Sequence, residues 1–216
     1  MLLTELPWFI LITGIALVGL YLSNIVFDYG TPQYLSRKIG HGVGGVSYLL
    51  CVLVFSTPWY PILLSGGFSL LLGGARIIRP STFRGVGGSS RKHALAEIYF
   101  PLGGTLALLV GWAWLNNPWL AIVPILYMAW GDAITGLIRA RVYGKEVKGV
   151  WGSVGMLITC LLIATLFAPY WIAVIGAVVA TLAEKYSGLS RTWVDDNYSI
   201  IVASLLVMGV LWLSLG

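Results

Sequence analysis

The chain has 216 residues, 58% of them hydrophobic and only 10% charged, with a mean hydropathy of +0.90, ten tryptophans and a formal net charge of +5. No single core could hide that much apolar side chain from water, so the composition excludes a soluble domain and requires an integral membrane protein. Cys51 and Cys160 both fall inside apolar runs, and two cysteines make neither a disulfide framework nor a zinc site.

A bilayer-crossing helix needs ~20 apolar residues. Runs of that order follow one another at about 6–27, 42–57, 59–78, 94–114, 119–138, 153–168, 170–187 and 200–216. The prediction is an all-α, polytopic bundle of about eight transmembrane helices forming one domain over 1–216. The first five residues carry no Lys or Arg and no small-residue cleavage pattern closes the first run, so it reads as a retained helix rather than a removable signal peptide. The runs at 42–57 and 153–168 are short for a perpendicular span and are expected to extend into their flanks, to break, or to sit in protein rather than lipid. Paired glycines such as Gly44-Gly45, Gly73-Gly74 and Gly103-Gly104 read as close helix-packing positions, which also permit contacts between two copies in a homodimer.

All 13 Lys and Arg residues fall in or beside the connections after runs one, three, five and seven. Those connections read DYGTPQYLSRKIGH, RIIRPSTFRGVGGSSRKH, RARVYGKEVKGVWGS and EKYSGLSRTWVDDN, whereas STPWYP, LNNPW and APY carry no basic residue. By the positive-inside rule the basic connections face the cytoplasm and both termini lie outside.

The acids carry the functional information. Glu5 lies near the outer end of run one and Glu146 sits among basic neighbours in a loop; Asp28, Glu97, Asp132, Glu184, Asp195 and Asp196 all fall toward the basic side. Asp132 lies inside run five, where a carboxylate costs roughly 2.5–3.5 kcal/mol on insertion scales and therefore needs a partner, a cation or a task. It shares a helical face with Thr135, Gly136 and Arg139, and the glycine leaves room beside it. A purely structural reading pairs Asp132 with Arg139 or with a basic residue on a neighbouring helix. The group as a whole, several carboxylates opposite many Arg and Lys residues, suits a polyanion bridged by a hard cation such as magnesium. Only His41 and His93 are present and no His/Cys ligand spacing occurs, so zinc is not expected. The loop RGVGGSSRK, Arg84 to Lys92, could wrap phosphate but lacks P-loop spacing and reads more simply as a flexible linker.

Four stretches in this order resemble the CTP-dependent lipid kinase family that includes dolichol, phytol and yeast-type diacylglycerol kinases. SRKIGHGVGG carries Arg37, Lys38 and His41 in an R-K-x-x-H pattern followed by glycines. AEIYFPLGG carries Glu97, Pro101 and Gly103; WGDAITG carries Asp132 in a G-D-x-x-A-like element; AEKYSGLSRTWVDDNYSI carries Glu184 and the D-D-N of Asp195, Asp196 and Asn197. Where many members have a glycine-arginine pair after the aspartate, this chain has IRARVYGK, with Arg139 in place of the glycine and one more residue before Gly144. The variant looks more like the compact archaeal members, and it leaves open which of Arg139, Arg141 and Lys145 meets phosphate.

The resemblance implies transfer of the γ-phosphate of CTP, with Mg²⁺, to the hydroxyl of a membrane lipid alcohol: dolichol, another polyprenol, a shorter isoprenoid alcohol or diacylglycerol. Its expected partners are the nucleotide, the lipid alcohol and the bilayer, not nucleic acid, with the active site facing the cytoplasm. Asp132 is expected to serve the metal or the reacting group, with Glu184 and Asp196 as ligands or the base that orients the alcohol. Asp195 and Glu97 are further metal candidates. Arg37, Lys38, His41, Arg141, Lys145, Lys148 and Asn197 are expected around the nucleotide. Two other functions fit the composition: a phosphatidate-type cytidylyltransferase, which also uses CTP and Mg²⁺, and a small cation-coupled transporter.

Overall fold

A computed structural model describes residues 2–87, 95–145, 147–187 and 195–215. Among these residues eight helical rods follow one another: α1 Leu2–Asp28, α2 Gln33–Val54, α3 Trp59–Ile78, α4 Ala96–Trp114, α5 Pro118–Tyr143, α6 Val150–Ala164, α7 Tyr170–Tyr186 and α8 Asp196–Leu215. There is no strand among the described residues. The protein is an all-α, polytopic membrane bundle, as its composition requires.

Five rods, α1, α3, α4, α5 and α8, are long and apolar enough to cross a membrane by themselves. At 15 residues, α6 rises only about 22 Å, short of a hydrocarbon layer about 30 Å thick. The 22-residue α2 is long enough, but its first turns carry Arg37, Lys38 and His41. These polar turns are buried in protein, not lipid: Ser36, Lys38 and His41 are all inside the bundle.

The axis of the bundle is α5. Of its most apolar stretch 78% is buried, against 22% for α1, which lies at the periphery. Leu120, Ile122, Val123, Ile125, Leu126, Tyr127 and Met128 have no solvent-exposed surface, and α2, α4, α6, α7 and α8 pack around them. Local chemistry defines both ends of this rod. Asn117 accepts a hydrogen bond from the Leu120 N–H at 3.1 Å as an N-cap, with Pro118 following where a missing N–H does no harm. Gly144, at φ +65°, closes the far end in the left-handed conformation that only glycine takes readily. Midway, Pro124 cannot donate to the helical ladder, and the chain widens into a π-helical turn over Tyr127–Gly131, directly before Asp132. The Tyr127 hydroxyl donates to Ala173 O at 2.7 Å and ties α5 to α7.

The outward faces carry Ile10, Leu53, Leu63, Leu70, Leu162, Leu206 and Leu213, all exposed, as a lipid-facing surface should. At one end of the bundle ion pairs join α2 to α5, α3 to α4, α5 to α7, and the segments after α3 and α5 to α1 and α8, so the charged groups gather there. Glu5 lies at the opposite end, where it accepts hydrogen bonds from Ser56 N–H at 2.9 Å and Ser56 Oγ at 2.5 Å and fastens α1 to the α2–α3 turn.

Candidate active site

The turn after the π-helical segment delivers Asp132 into the charged end, with only 3% of the residue exposed. Two side chains one turn apart on α2 reach the same carboxylate oxygen: Lys38 Nζ donates to Oδ2 at 2.5 Å, and His41 Nδ1 lies 3.2 Å from it. Lys38 gets there because Gly136 has no side chain; a Cβ at that position would stand 2.5 Å from Lys38 Cε. Both contacts engage Oδ2 of the carboxylate.

Glu184, fully buried near the end of α7, is held by two cations. Arg139 grips it with a fork, Nη1 to Oε1 at 2.8 Å and Nη2 to Oε2 at 3.0 Å, the geometry that makes an arginine–carboxylate pair strong and directional. Lys148, from the segment between α5 and α6, donates to Oε1 at 3.1 Å and to the Glu184 carbonyl, and its Nζ is 3.6 Å from Asp196 Oδ2. Asp132, Glu184 and Asp196 thus converge from α5, α7 and α8. One oxygen of each lies within 4.8 Å of the others.

Asp132 pairs across helices with Lys38, while Arg139, its neighbour on one helical face, turns to Glu184. The three carboxylates expected to do chemistry come together, and Lys38, His41 and Lys148 surround them. Asp195, just before α8, does not join the trio; its carboxylate accepts from the Asn197 N–H at 2.9 Å. Burial, and after it the negative charge of Asp196, push its carboxyl up to about 7. Glu97 also lies outside the trio, buried at the start of α4 in an ion pair with Arg76. Arg37 borders a cavity next to His41, and Arg141 and Lys145 are exposed at the end of α5. Asn197 donates to Ala96 O at 2.9 Å, and its buried Oδ1 has no hydrogen-bond partner among the described residues. The loop Arg84–Lys92 is described only as far as Gly87; the rest of it, with His93, lies outside the described residues, as does Glu146. Arg76 was not singled out from the sequence, although a lone arginine in the last turn of an apolar run was a usable signal.

The donor set fits magnesium. It is made of carboxylate oxygens, hard ligands gathered closely enough for one ion to engage one or two of them while keeping waters. The orphaned Asn197 Oδ1, next in the chain to Asp196, is a further oxygen without a task. Charge is nearly balanced before any ligand arrives, with Asp132, Glu184 and Asp196 facing Lys38, Arg139 and Lys148.

Beside the trio lies a cavity of ≈ 70 Å³ between α1, α2, α3 and α4. Arg37, His41 and Glu97 stand at its charged end, and Ala16, Leu20, Leu64, Phe68, Leu72 and Phe100 form most of its wall.

Fold and site together define a multispanning helical membrane protein with a buried carboxylate–cation cluster at one end. The chain is similar to a phytol kinase of Synechocystis, 28% identical over 202 aligned residues that cover 85% of this chain and 83% of that one. It is also similar to a probable chloroplastic phytol kinase of Glycine max, 24% identical over 205 residues, covering 83% of this chain and 63% of the longer relative. No protein-family model and no solved structure matches the chain.

Proposed function

We propose that this protein is a membrane kinase that transfers the terminal phosphate of CTP, as its magnesium complex, to the hydroxyl of a prenyl alcohol. The observation that carries the proposal is the trio Asp132, Glu184 and Asp196, drawn together from three helices and surrounded by Lys38, Arg139 and Lys148. The similarity to two phytol kinases supports the reaction class and the kind of acceptor. CTP as donor is supported by the R-K-x-x-H and D-D-N elements, whose Lys38, His41 and Asp196 meet at this one site.

Phosphoryl transfer asks a protein mainly for positioning and charge neutralisation. One or two of Asp132, Asp196 and Glu184 would hold magnesium, which when bound would offset the charge of the phosphates. The chain's own cations do the rest. Lys38 and the Arg139 fork fix two carboxylates rigidly. Because the cluster is already near neutrality, a triphosphate needs further positive charge, which the exposed Arg141 and Lys145 supply from the solvent side. One of the three carboxylates takes the proton of the alcohol as its oxygen attacks the γ-phosphorus. A new O–P bond forms, the bond from that phosphorus to the β-phosphate oxygen breaks, and lipid monophosphate, CDP and a proton result. The cluster lies at the end of the bundle that the positive-inside rule assigns to the cytoplasm, so nucleotide and lipid approach from different sides.

Incubating the reconstituted protein with γ-labelled CTP and a prenyl alcohol tests the reaction. The expected result is label in the lipid. Label only in pyrophosphate, with cytidine in the lipid, would mean a cytidylyltransferase instead.

A further inference from the structure

We infer that the cavity between α1, α2, α3 and α4 is the seat of the acceptor's first carbons, entered sideways from the bilayer between α1 and α3; the inference rests on the kinase reading above. His41 is the joint between the two sites. Its ring lines the cavity, and its Nδ1 is 3.2 Å from Asp132 Oδ2, so whatever fills the cavity ends beside the carboxylate cluster.

The wall is chemically apolar despite its hydroxyls. Ser65 donates to Pro101 O at 2.7 Å, Tyr48 is hydrogen-bonded to Ser65, and Ser47 donates to Val43 O at 3.1 Å. With those groups satisfied, the cavity offers a polar ligand nothing along its length and a hydroxyl something only at its charged end.

Among the described residues, a strap lies over the water-facing end of the cavity. After α3 the chain folds back as a strap over 79–87, fastened at many points to α1 and α2. Asn24 Nδ2 donates to Thr82 O at 2.7 Å, Gly85 N–H donates to Asn24 Oδ1 at 2.8 Å, and Ser36 Oγ donates to Gly85 O at 2.8 Å. Gln33 donates to Arg84 O at 2.9 Å, and Arg84 forks onto Asp28 at 2.7 and 2.6 Å. Val86 from this strap lines the cavity and packs with Leu20 and Leu72. The side toward the lipid is less tightly closed, since α1 and α3 make little contact with each other.

Size selects the occupant. An apolar cavity of about 150 Å³ takes a benzene ring, so ≈ 70 Å³ admits the first few carbons of one chain and leaves the remaining tail in the bilayer. A single-tailed prenyl alcohol fits that description.

A radioactive phytol analogue with a photoreactive group near its hydroxyl tests this without relying on turnover. In nanodiscs, the cross-links should map to Leu20, Phe68 and Leu72, disappear with excess phytol, and fall at least about five-fold in Ala16→Phe, which fills the cavity from its edge. Val18→Phe, on the exposed face of α1, should leave labelling unchanged. Cross-links confined to lipid-facing residues such as Leu70 and Leu213, or unaffected by phytol and by Ala16→Phe, overturn the inference. Phosphate transfer with the probe elsewhere sinks the cavity alone; a probe in the cavity that accepts no phosphate sinks the kinase reading and leaves the cavity standing.

Discussion

Lys38 and Asp132 are separated by 94 positions in the chain and by 2.5 Å in space, with side chains only 7% and 4% exposed. A buried pair of this kind contributes little net stability compared with an apolar pair, but removing one partner strands a charge and costs about 3–5 kcal/mol. Lys38→Met should therefore lower the thermal stability of the detergent-solubilised protein sharply and abolish turnover. Adding Asp132→Asn to that variant should restore most of the stability and none of the activity. A double variant no more stable than Lys38→Met would show that the two residues are not coupled.

The Arg139 fork on Glu184 gives a graded prediction. Arg139→Lys keeps the charge but cannot make both parallel bonds, and one charge-assisted hydrogen bond is worth about 1.5–3 kcal/mol. Turnover should fall about ten- to hundred-fold in Arg139→Lys and further in Arg139→Gln. Equal activity in Arg139→Lys and the native protein would mean that the fork's geometry is immaterial.

Chelation addresses the trio as a metal site. Removing divalent cations should abolish lipid phosphorylation, and magnesium should restore it better than calcium, which prefers more ligands at longer distances. Asp196→Asn should raise the magnesium concentration required for half-maximal rate. Full activity in excess chelator would contradict the assignment of these carboxylates.

Two glycines separate packing from backbone effects. A Cβ on Gly85 would stand 2.2 Å from the Ser23 carbonyl oxygen, so Gly85→Ala must push the strap off α1, at a cost of about 1–3 kcal/mol. Gly74, inside α3, has open space where its Cβ would be, and Gly74→Ala should be neutral or stabilise by up to ~1 kcal/mol. Thermal unfolding of both variants reads the difference.

Hydropathy located the eight rods because lipid-facing and core-facing turns are both apolar. Apolar runs stop short wherever a helix continues as a polar element inside protein, as the brevity of the 42–57 run implies. α2 begins at Gln33 rather than near 42, since Arg37, Lys38 and His41 are helical and face other helices. α5 runs on to Tyr143 rather than 138, carried by the polar turn of Arg139 and Arg141 until Gly144 stops it. The carboxylates were visible as costly residues, yet their partners were not. Arg139 shares a helical face with Asp132, and only the packing of α7 against the bundle shows that it belongs to Glu184. Glu97 and Asp195 could not be told from the trio by position along the chain, because that distinction depends on where the ends of α4 and α8 sit in space. The cavity has no sequence signature, being made of one or two residues from each of several helices.

The most direct test is product formation by the purified protein in nanodiscs supplied with phytol, CTP and magnesium, compared with an Asp132→Asn variant of matched folding. Phytyl monophosphate and CDP are expected in equal amounts from the native protein and at less than about one hundredth of that rate from the variant, a loss of roughly 2.7 kcal/mol or more in transition-state stabilisation. Absence of any phosphorylated alcohol from the native protein, or a variant as active as the native protein, would contradict the proposed reaction.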